Sequence, residues 1–425
     1  MTVEKGISIN SMSKHILTGF GFGPIQGGLF VDEAYAGGNF SRIVIAEIDQ
    51  KLVDAVRAGG GSYSVNIARK DRIDVVTIRN IELLNPNVES DRKVLIEALR
   101  QSTEIVTSLP SVAFFEAGAH SVASLIAEGL KKSTADGTII YAAENNNHAA
   151  EILESAVVKK TGGHLPKRCQ FLNTVIGKMS QVVTDPAEIK QKNLTPIVKG
   201  IDRAFLVEEF NRILVTRCAI TGFTPGIKVF IEKDDLLPFE EAKLYGHNAI
   251  HALLAYLGAI KGYGKMMELK NDSAIMAIAE KAFIGESGAA LIKKYRGLGD
   301  ELFTEAGYKK YAFDLLERMM NPFLADTIER AGRDPLRKLS INDRIFGTMV
   351  LAMEQGVEPV NMAMGAMAGL GVLLQTAKEN KLPVELHYGD WQKLNGEKIE
   401  KLIKWIWQDK TSTYAPRLIS QVVAA

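Results

Sequence analysis

The stretch Ile16-Leu17-Thr18-Gly19-Phe20-Gly21-Phe22-Gly23-Pro24-Ile25-Gln26-Gly27-Gly28 joins an apolar strand candidate, residues 16–18, to a glycine-rich turn that leads into a plausible helix. Strand, tight turn and helix in that order form the context in which a dinucleotide fingerprint carries meaning. Gly21 permits the tight turn, and Gly23 lets backbone approach a pyrophosphate at a helix amino terminus. Gln26 stands where the third glycine of the usual pattern sits, a departure that bears on how the helix packs. Gly21, Gly23, Pro24 and Ile25 are the candidate cofactor-binding residues of this turn.

The same alternation continues downstream. Short β-branched runs at 43–47, 75–78, 105–108 and 138–142 are candidate strands of a parallel sheet covered by helices. Residues 51–57 read as a helix stopped by Gly59-Gly60-Gly61. The second strand ends at Glu47, at the distance where an acidic side chain binds the adenosine ribose hydroxyls, with Asp49 as the alternative. An acid at that point favours NAD over NADP.

From about Pro238 the β signals nearly vanish, and helix-period segments occupy 239–260, 273–293, 308–331 and 360–380. The expected fold is therefore α/β, with an N-terminal Rossmann-type doubly wound sheet followed by a mainly α-helical C-terminal domain. The expected division is residues 1–200 for NAD and residues 201–425 for substrate and catalysis. Residues 227–232 are a candidate extra strand of an extended sheet.

Composition narrows the function. A chain of 425 residues is long for one core. Its 51 Lys plus Arg against 50 Asp plus Glu give no global charge to attract nucleic acid or an anionic membrane, so any anionic ligand must be held by a local cluster. Cys169 and Cys218 are too few for a disulfide framework, and no apolar run is long enough to span a bilayer. The expectation is a cytoplasmic enzyme or binding protein without an anchor, acting on a small molecule as a monomer or homodimer.

Chemistry concentrates in Lys243-Leu244-Tyr245-Gly246-His247-Asn248-Ala249-Ile250-His251. At about 100° per residue, Lys243, Asn248 and His251 fall on one half of an α-helix. A base, an amide donor and an imidazole together suit an alcohol oxidation, in which the hydroxyl proton leaves and a developing alkoxide must be held. Free lysine, with a pKa near about 10.4, is a poor base at neutral pH, so burial or neighbouring cations such as Arg330 and Lys338 must lower it. His247 and His251 have a spacing that can hold zinc, but position 248 is Asn and no cysteine lies near, so no metal is expected.

The pattern Lys, four residues, Asn, two residues, His resembles the signature of the polyol-specific long-chain dehydrogenases. The glycine turn and the run Arg330-Ala331-Gly332-Arg333-Asp334-Pro335-Leu336-Arg337-Lys338-Leu339 agree with it, in the expected order. The resemblance spans about residues 19–374. It implies a metal-independent NAD enzyme in which Lys243 is the acid/base residue, Asn248 and Asn145 donate to the substrate oxygen, and His251 orients the substrate or Lys243. It places the loops at 108–110 and 144–145 near the nicotinamide, and makes Arg330 and Lys338 the substrate-side pair.

Arg330, Arg333, Arg337 and Lys338, closed by Arg344, suit a phosphate or a carboxylate. Arg330, Lys338 and Arg333 are the candidate substrate-binding residues. Within the family, this run is most like the mannitol-1-phosphate branch, which implies interconversion of mannitol 1-phosphate and fructose 6-phosphate. The alternatives are a hexuronate reductase acting on tagaturonate or fructuronate, a dehydrogenase of unphosphorylated polyols, or a catalytically inactive NAD-binding regulatory protein. The last is motivated by Gln26 and by Gly177, where the family often has Asp.

Overall fold

The structure is a computed structural model that describes residues 15–375, 382–383, 394–408 and 410–425. The chain divides into two units, Met1–Leu236 and Leu237–Ala425. The strands of the first unit are β1 (His15–Phe20), β2 (Phe40–Ala46), β3 (Tyr63–Ala68), β4 (Ile73–Ile78), β5 (Ile81–Leu84), β6 (Glu104–Thr107), β7 (Thr138–Ala142), β8 (Cys169–Ile176), β9 (Ser180–Val183), β10 (Ala204–Glu208), β11 (Ile213–Thr216) and β12 (Phe230–Lys233).

Eight of them form one sheet in the order β12-β11-β8-β7-β6-β1-β2-β5. From β5 to β8 every neighbour is parallel. Taken in chain order, the strands from β5 to β8 follow the 3-2-1-4-5-6 arrangement of a doubly wound dinucleotide fold. Period-2 alternation sends Ile43 and Ile45 of β2 into one core, with Leu17 and Phe30, and Val44 and Ala46 into another, with Leu99 and Ile126. The helices Glu89–Gln101, Val122–Lys131 and Ala149–Thr161 supply that second core.

In the first unit the structure departs from expectation in two places. Residues 75–78 do form a strand, but in β4, which pairs antiparallel with β3 in a separate four-stranded sheet, β4-β3-β10-β9. The third strand of the parallel sheet is β5, which lies beside β2. β4 carries the stronger β-branched signal, whereas β5 (Ile81-Glu82-Leu83-Leu84) has a single β-branched residue, so pairing rather than composition places the third strand. The chain also divides after Leu236 rather than near residue 200, because β10 joins the small sheet while β11 and β12 extend the large one. The candidate strand at 227–232 is present as β12.

The second unit is helical, as expected. Residues 237–260 and 273–294 are continuous helices, each interrupted by a wide π-turn, Ala242–Asn248 and Lys281–Gly288. The helix Ala249–Ile260 is its centre, with Leu253, Leu254 and Tyr256 fully buried. Gly365 and Gly369 let helix Val360–Gln375 approach it, since a Cβ at either would fall 2.9 Å from Leu253 or Tyr256. Buried Glu286 receives the Asn361 and Met362 amide protons, which caps that helix. Residues 376–380 of the expected helix lie outside the described residues.

The helix expected at 308–331 is broken. It ends at Met319 and resumes at Ile328, because Pro322 has no amide hydrogen and disfavours helical backbone at Asn321. The intervening loop, with Ala325 in the left-handed region at φ 47°, carries Asp326.

Candidate active site

In the first unit, the glycine turn follows β1 directly. Gly21 has φ 83°, and a Cβ there would fall 2.7 Å from the Ser108 carbonyl oxygen, so the turn requires glycine twice over. At Gly23 an added Cβ would meet nothing within 4 Å. That open approach to backbone at the start of a helical segment is what a pyrophosphate needs, and Pro24 and Ile25 line the same turn half-buried.

Gln26 begins a π-turn, Gln26–Phe30, that runs into helix Val31–Gly37. Its fully buried side chain lies against Gly19 of β1, so the missing third glycine is compensated by a glycine on the strand. Gly27 and Gly28 provide the close packing on the other side, against Phe205 and Val207 of β10.

Glu47 follows β2 and accepts the Phe22 N–H at 3.0 Å, the Ile48 N–H at 2.8 Å and the Asp49 N–H at 2.9 Å. Its carboxylate therefore adjoins the glycine turn. Asp49 instead caps helix Gln50–Ala58 through the Leu52 N–H and pairs with Arg203. After β7, buried Glu144 accepts the Thr107 hydroxyl at 2.9 Å and the Leu109 N–H at 2.8 Å, tying the loop after β6 to that after β7. Asn145 is the next residue and is exposed.

In the second unit, Lys243 and Asn248 share the π-turn. In an α-helix, residues five apart point about 140° away from each other, whereas the i→i+5 bonding of a π-turn returns them to one side. Lys243 is half-buried. Burial pulls its pKa down to about 8, the Glu240 carboxylate opposing and the Arg344 guanidinium reinforcing that shift. The half-buried Asn248 amide makes no side-chain hydrogen bond among the described residues.

His251, one turn further on, points its Nε2 at Asp326 Oδ2, 3.0 Å away. The other oxygen of Asp326 accepts from Arg330 Nε at 2.6 Å. Burial pushes the Asp326 carboxyl up, but the bonds from His251 and Arg330 outweigh it and hold the group well below the usual carboxylate range. Asp326 was not legible as a site residue, although its position four before Arg330 and just past a helix-breaking proline is a usable signal. His247, which the sequence offers only as a metal-ligand candidate, is buried, and burial and the charges of Arg318, His251, Lys243 and Arg344 keep its ring neutral.

The basic segment resolves residue by residue. Arg337 bonds Asp334 at 2.6 Å and Asp343 at 3.2 Å, and Arg344 bonds Asp343 at 2.7 Å. Lys338 is buried and donates to the Ala331 carbonyl at 2.5 Å. Burial lowers its pKa to about 7, with Arg344, Arg337 and Arg333 adding to the shift. Arg333 is exposed and makes no ion pair or side-chain hydrogen bond among the described residues.

The first unit has the doubly wound sheet of dinucleotide-binding folds, and the second gathers a lysine, an amide and an imidazole on one helical segment. Residues 235–411 match the mannitol dehydrogenase C-terminal domain. Over 355 residues the chain is 29% identical to the mannitol-1-phosphate 5-dehydrogenase of Buchnera aphidicola subsp. Acyrthosiphon pisum (strain APS), a match that covers 82% of this chain and 84% of that protein. It is similar in fold to a D-sorbitol dehydrogenase (TM-score 0.74, 15% identity, covering 97% of this chain and 92% of that one). It is also similar to the Pseudomonas fluorescens mannitol 2-dehydrogenase in ternary complex with NAD and D-mannitol (TM-score 0.66, 17% identity, covering 97% and 91%). Over most of its length the chain is thus similar to oxidoreductases of the mannitol dehydrogenase family, with the family's C-terminal domain at residues 235–411.

Proposed function

We propose that this chain is an NAD-dependent oxidoreductase that interconverts a sugar alcohol phosphate and its ketose phosphate, with mannitol 1-phosphate and fructose 6-phosphate as the pair. The observation that carries the reading is Lys243, half-buried with its pKa drawn down to about 8, on the same side of a π-turn as an Asn248 amide without a side-chain partner. A lysine near neutrality can take the proton of an alcohol and return it to a ketone oxygen.

The backbone at Gly23, Pro24 and Ile25 and the carboxylate of Glu47 are the groups that would hold NAD, and their open glycine turn fits it. Bound NAD supplies the hydride acceptor for alcohol oxidation, and its reduced form the donor for ketone reduction. On the protein's side, Lys243 takes the hydroxyl proton. Asn248 donates to the oxygen as charge develops on it, and Asn145 belongs to the same proposal as a second amide donor. His251 orients the substrate through its ring.

Phosphate recognition is proposed for Arg333 and Lys338. Arg330, Arg337 and Arg344 already carry carboxylate partners, whereas Arg333 carries none among the described residues and Lys338 donates to a carbonyl. These two leave positive charge uncompensated, and the curated relative is named for a phosphorylated polyol.

NADH oxidation with fructose 6-phosphate beside fructose, tagaturonate and fructuronate tests the reading. Turnover confined to fructose 6-phosphate supports it. A uronate preference moves the cluster to carboxylate binding, and silence with all four, despite NADH binding, would point to a regulatory protein.

A further inference from the structure

The bond between His251 and Asp326 has a chemical direction. An ionised carboxylate can only accept hydrogen bonds, so the imidazole nitrogen facing it must carry the proton. With Nε2 protonated toward Asp326 at 3.0 Å, a neutral His251 ring has a bare Nδ1, which is an acceptor and has no side-chain partner among the described residues. Arg330 is constrained by the same carboxylate: its Nε–H is committed at 2.6 Å, and its two terminal nitrogens make no other side-chain hydrogen bond among the described residues.

Asp326 is built to do this. Its side chain is 4% exposed. The loop that carries it is pinned to the preceding turn, because the Met266 N–H donates to the Asp326 carbonyl at 2.9 Å and the Ile328 N–H to the Gly264 carbonyl at 3.0 Å. Lys265 and Thr327 form an antiparallel bridge between those two bonds. Thr327 then caps the next helix by accepting the Arg330 N–H, which fixes the base of the arginine as well as its head.

We infer that Asp326 is a positioning residue for the proposed reaction: it fixes His251 as a hydrogen-bond acceptor through Nδ1 and sets the terminal nitrogens of Arg330 as a fork for substrate oxygen. The inference rests on the proposed function for its catalytic consequence, though not for its structural one. It adds a requirement on the substrate, which must offer a hydroxyl as donor to His251 and an oxygen-rich group as acceptor to Arg330. Acting through other residues, Asp326 touches no reacting atom itself.

Asp326→Asn is the informative variant, because it keeps the size of the side chain but offers one acceptor and one donor to two donors. Its carbonyl will serve Arg330 and its amide N–H will face Nε2, so His251 must switch to the Nδ1–H tautomer and become a donor. The measurement is the nitrogen-15 spectrum of the full-length protein labelled at histidine, with the His251 signals identified by their loss in His251→Gln. The Nε2–H form is expected in the wild type and in Asp326→Glu, and the Nδ1–H form in Asp326→Asn.

Turnover in the fructose 6-phosphate assay should fall by roughly 10- to 100-fold in Asp326→Asn, with kcat lowered as well as KM raised, and should recover in Asp326→Glu. An Nδ1–H tautomer in the wild type, or an unchanged tautomer with wild-type turnover in Asp326→Asn, would overturn the inference. If the wild type turns over no substrate, the proposed function fails alone, and the tautomer comparison still decides whether Asp326 holds His251. Should Asp326→Asn unfold, the wild-type tautomer and that of Asp326→Glu decide the same question.

Discussion

Gly19 and Gln26 share one volume: a Cβ added to Gly19 in β1 would coincide with the buried side-chain amide of Gln26 at the start of the following π-turn. The usual dinucleotide turn places its third glycine on the helix, and here the small residue sits on the strand and the large one on the helix. The same closeness results, and with it the open backbone at Gly23 that is proposed to meet the cofactor.

Gly19→Ala should therefore cost about 1–3 kcal/mol through overpacking. Adding Gln26→Ala should return part of that loss, with a coupling of at least about 0.5 kcal/mol in a double-mutant cycle. Denaturation midpoints of the four proteins measure it. Strictly additive losses would show that the two residues do not compete for space.

Lys243 must be neutral to accept a proton and charged to give one. With its pKa near about 8, kcat/KM for alcohol oxidation should rise with pH and level off above that value, while ketone reduction falls over the same range. Lys243→Ala should lower both by roughly a hundredfold or more without unfolding the chain. Arg344→Gln, by removing a neighbouring cation, should move the inflection to higher pH. Profiles in both directions, for all three proteins, check the assignment.

In the proposed function, Lys338 and Arg333 separate phosphate from neutral substrates. An anion beside Lys338 favours its charged form, so KM for fructose 6-phosphate should rise as pH climbs through about 7, where the ligand-free lysine loses its proton. Lys338→Met should remove that dependence, and Arg333→Ala should raise KM by roughly 10- to 100-fold with little change in kcat, the value of a charge-assisted hydrogen bond. A KM independent of pH and of both substitutions would place the phosphate elsewhere.

Glu104, fully buried at the start of β6, accepts the Gly226 N–H at 2.6 Å and the Tyr141 hydroxyl at 3.2 Å and lies 3.2 Å from His15. Burial raises its pKa to about 7 against those bonds and the nearby charge of Lys228. A carboxyl whose folded pKa lies above its unfolded one contributes stability below the unfolded value, near 4.5, and loses it as pH rises through about 7. His15 acts in the opposite sense, since burial lowers its pKa. Compared with the wild type, Glu104→Gln should thus gain relative stability between pH 5 and about 7, read as a difference in denaturation midpoints. A constant difference would assign Glu104 an ordinary pKa.

The order of the fold was legible because its signals are local. A strand, a glycine turn and a helix at 16–28, and the switch from alternating to helical periodicity near Pro238, are written in consecutive residues. Partnership was not. Residues 73–78 carry the stronger β-branched signal, yet hydrogen bonding to β3 or to β2 puts them in the small sheet and 81–84 in the large one. The break at 320–327 could have been read from Pro322, and with it the loop that carries Asp326.

The candidate site divides along the same line. Lys243, Asn248 and His251 were visible because helical residues within two turns are neighbours in sequence and space alike, and Glu47 because a strand end lies a fixed distance past the glycines. The π-turn that brings Lys243 and Asn248 to one side is local but carries no residue signature, whereas the burial that lowers the lysine pKa and the bond from His251 to the Asp326 carboxylate arise between residues distant along the chain. Desolvation and hydrogen-bond pairing depend on what surrounds a group in space, so they exist only once the helices have packed.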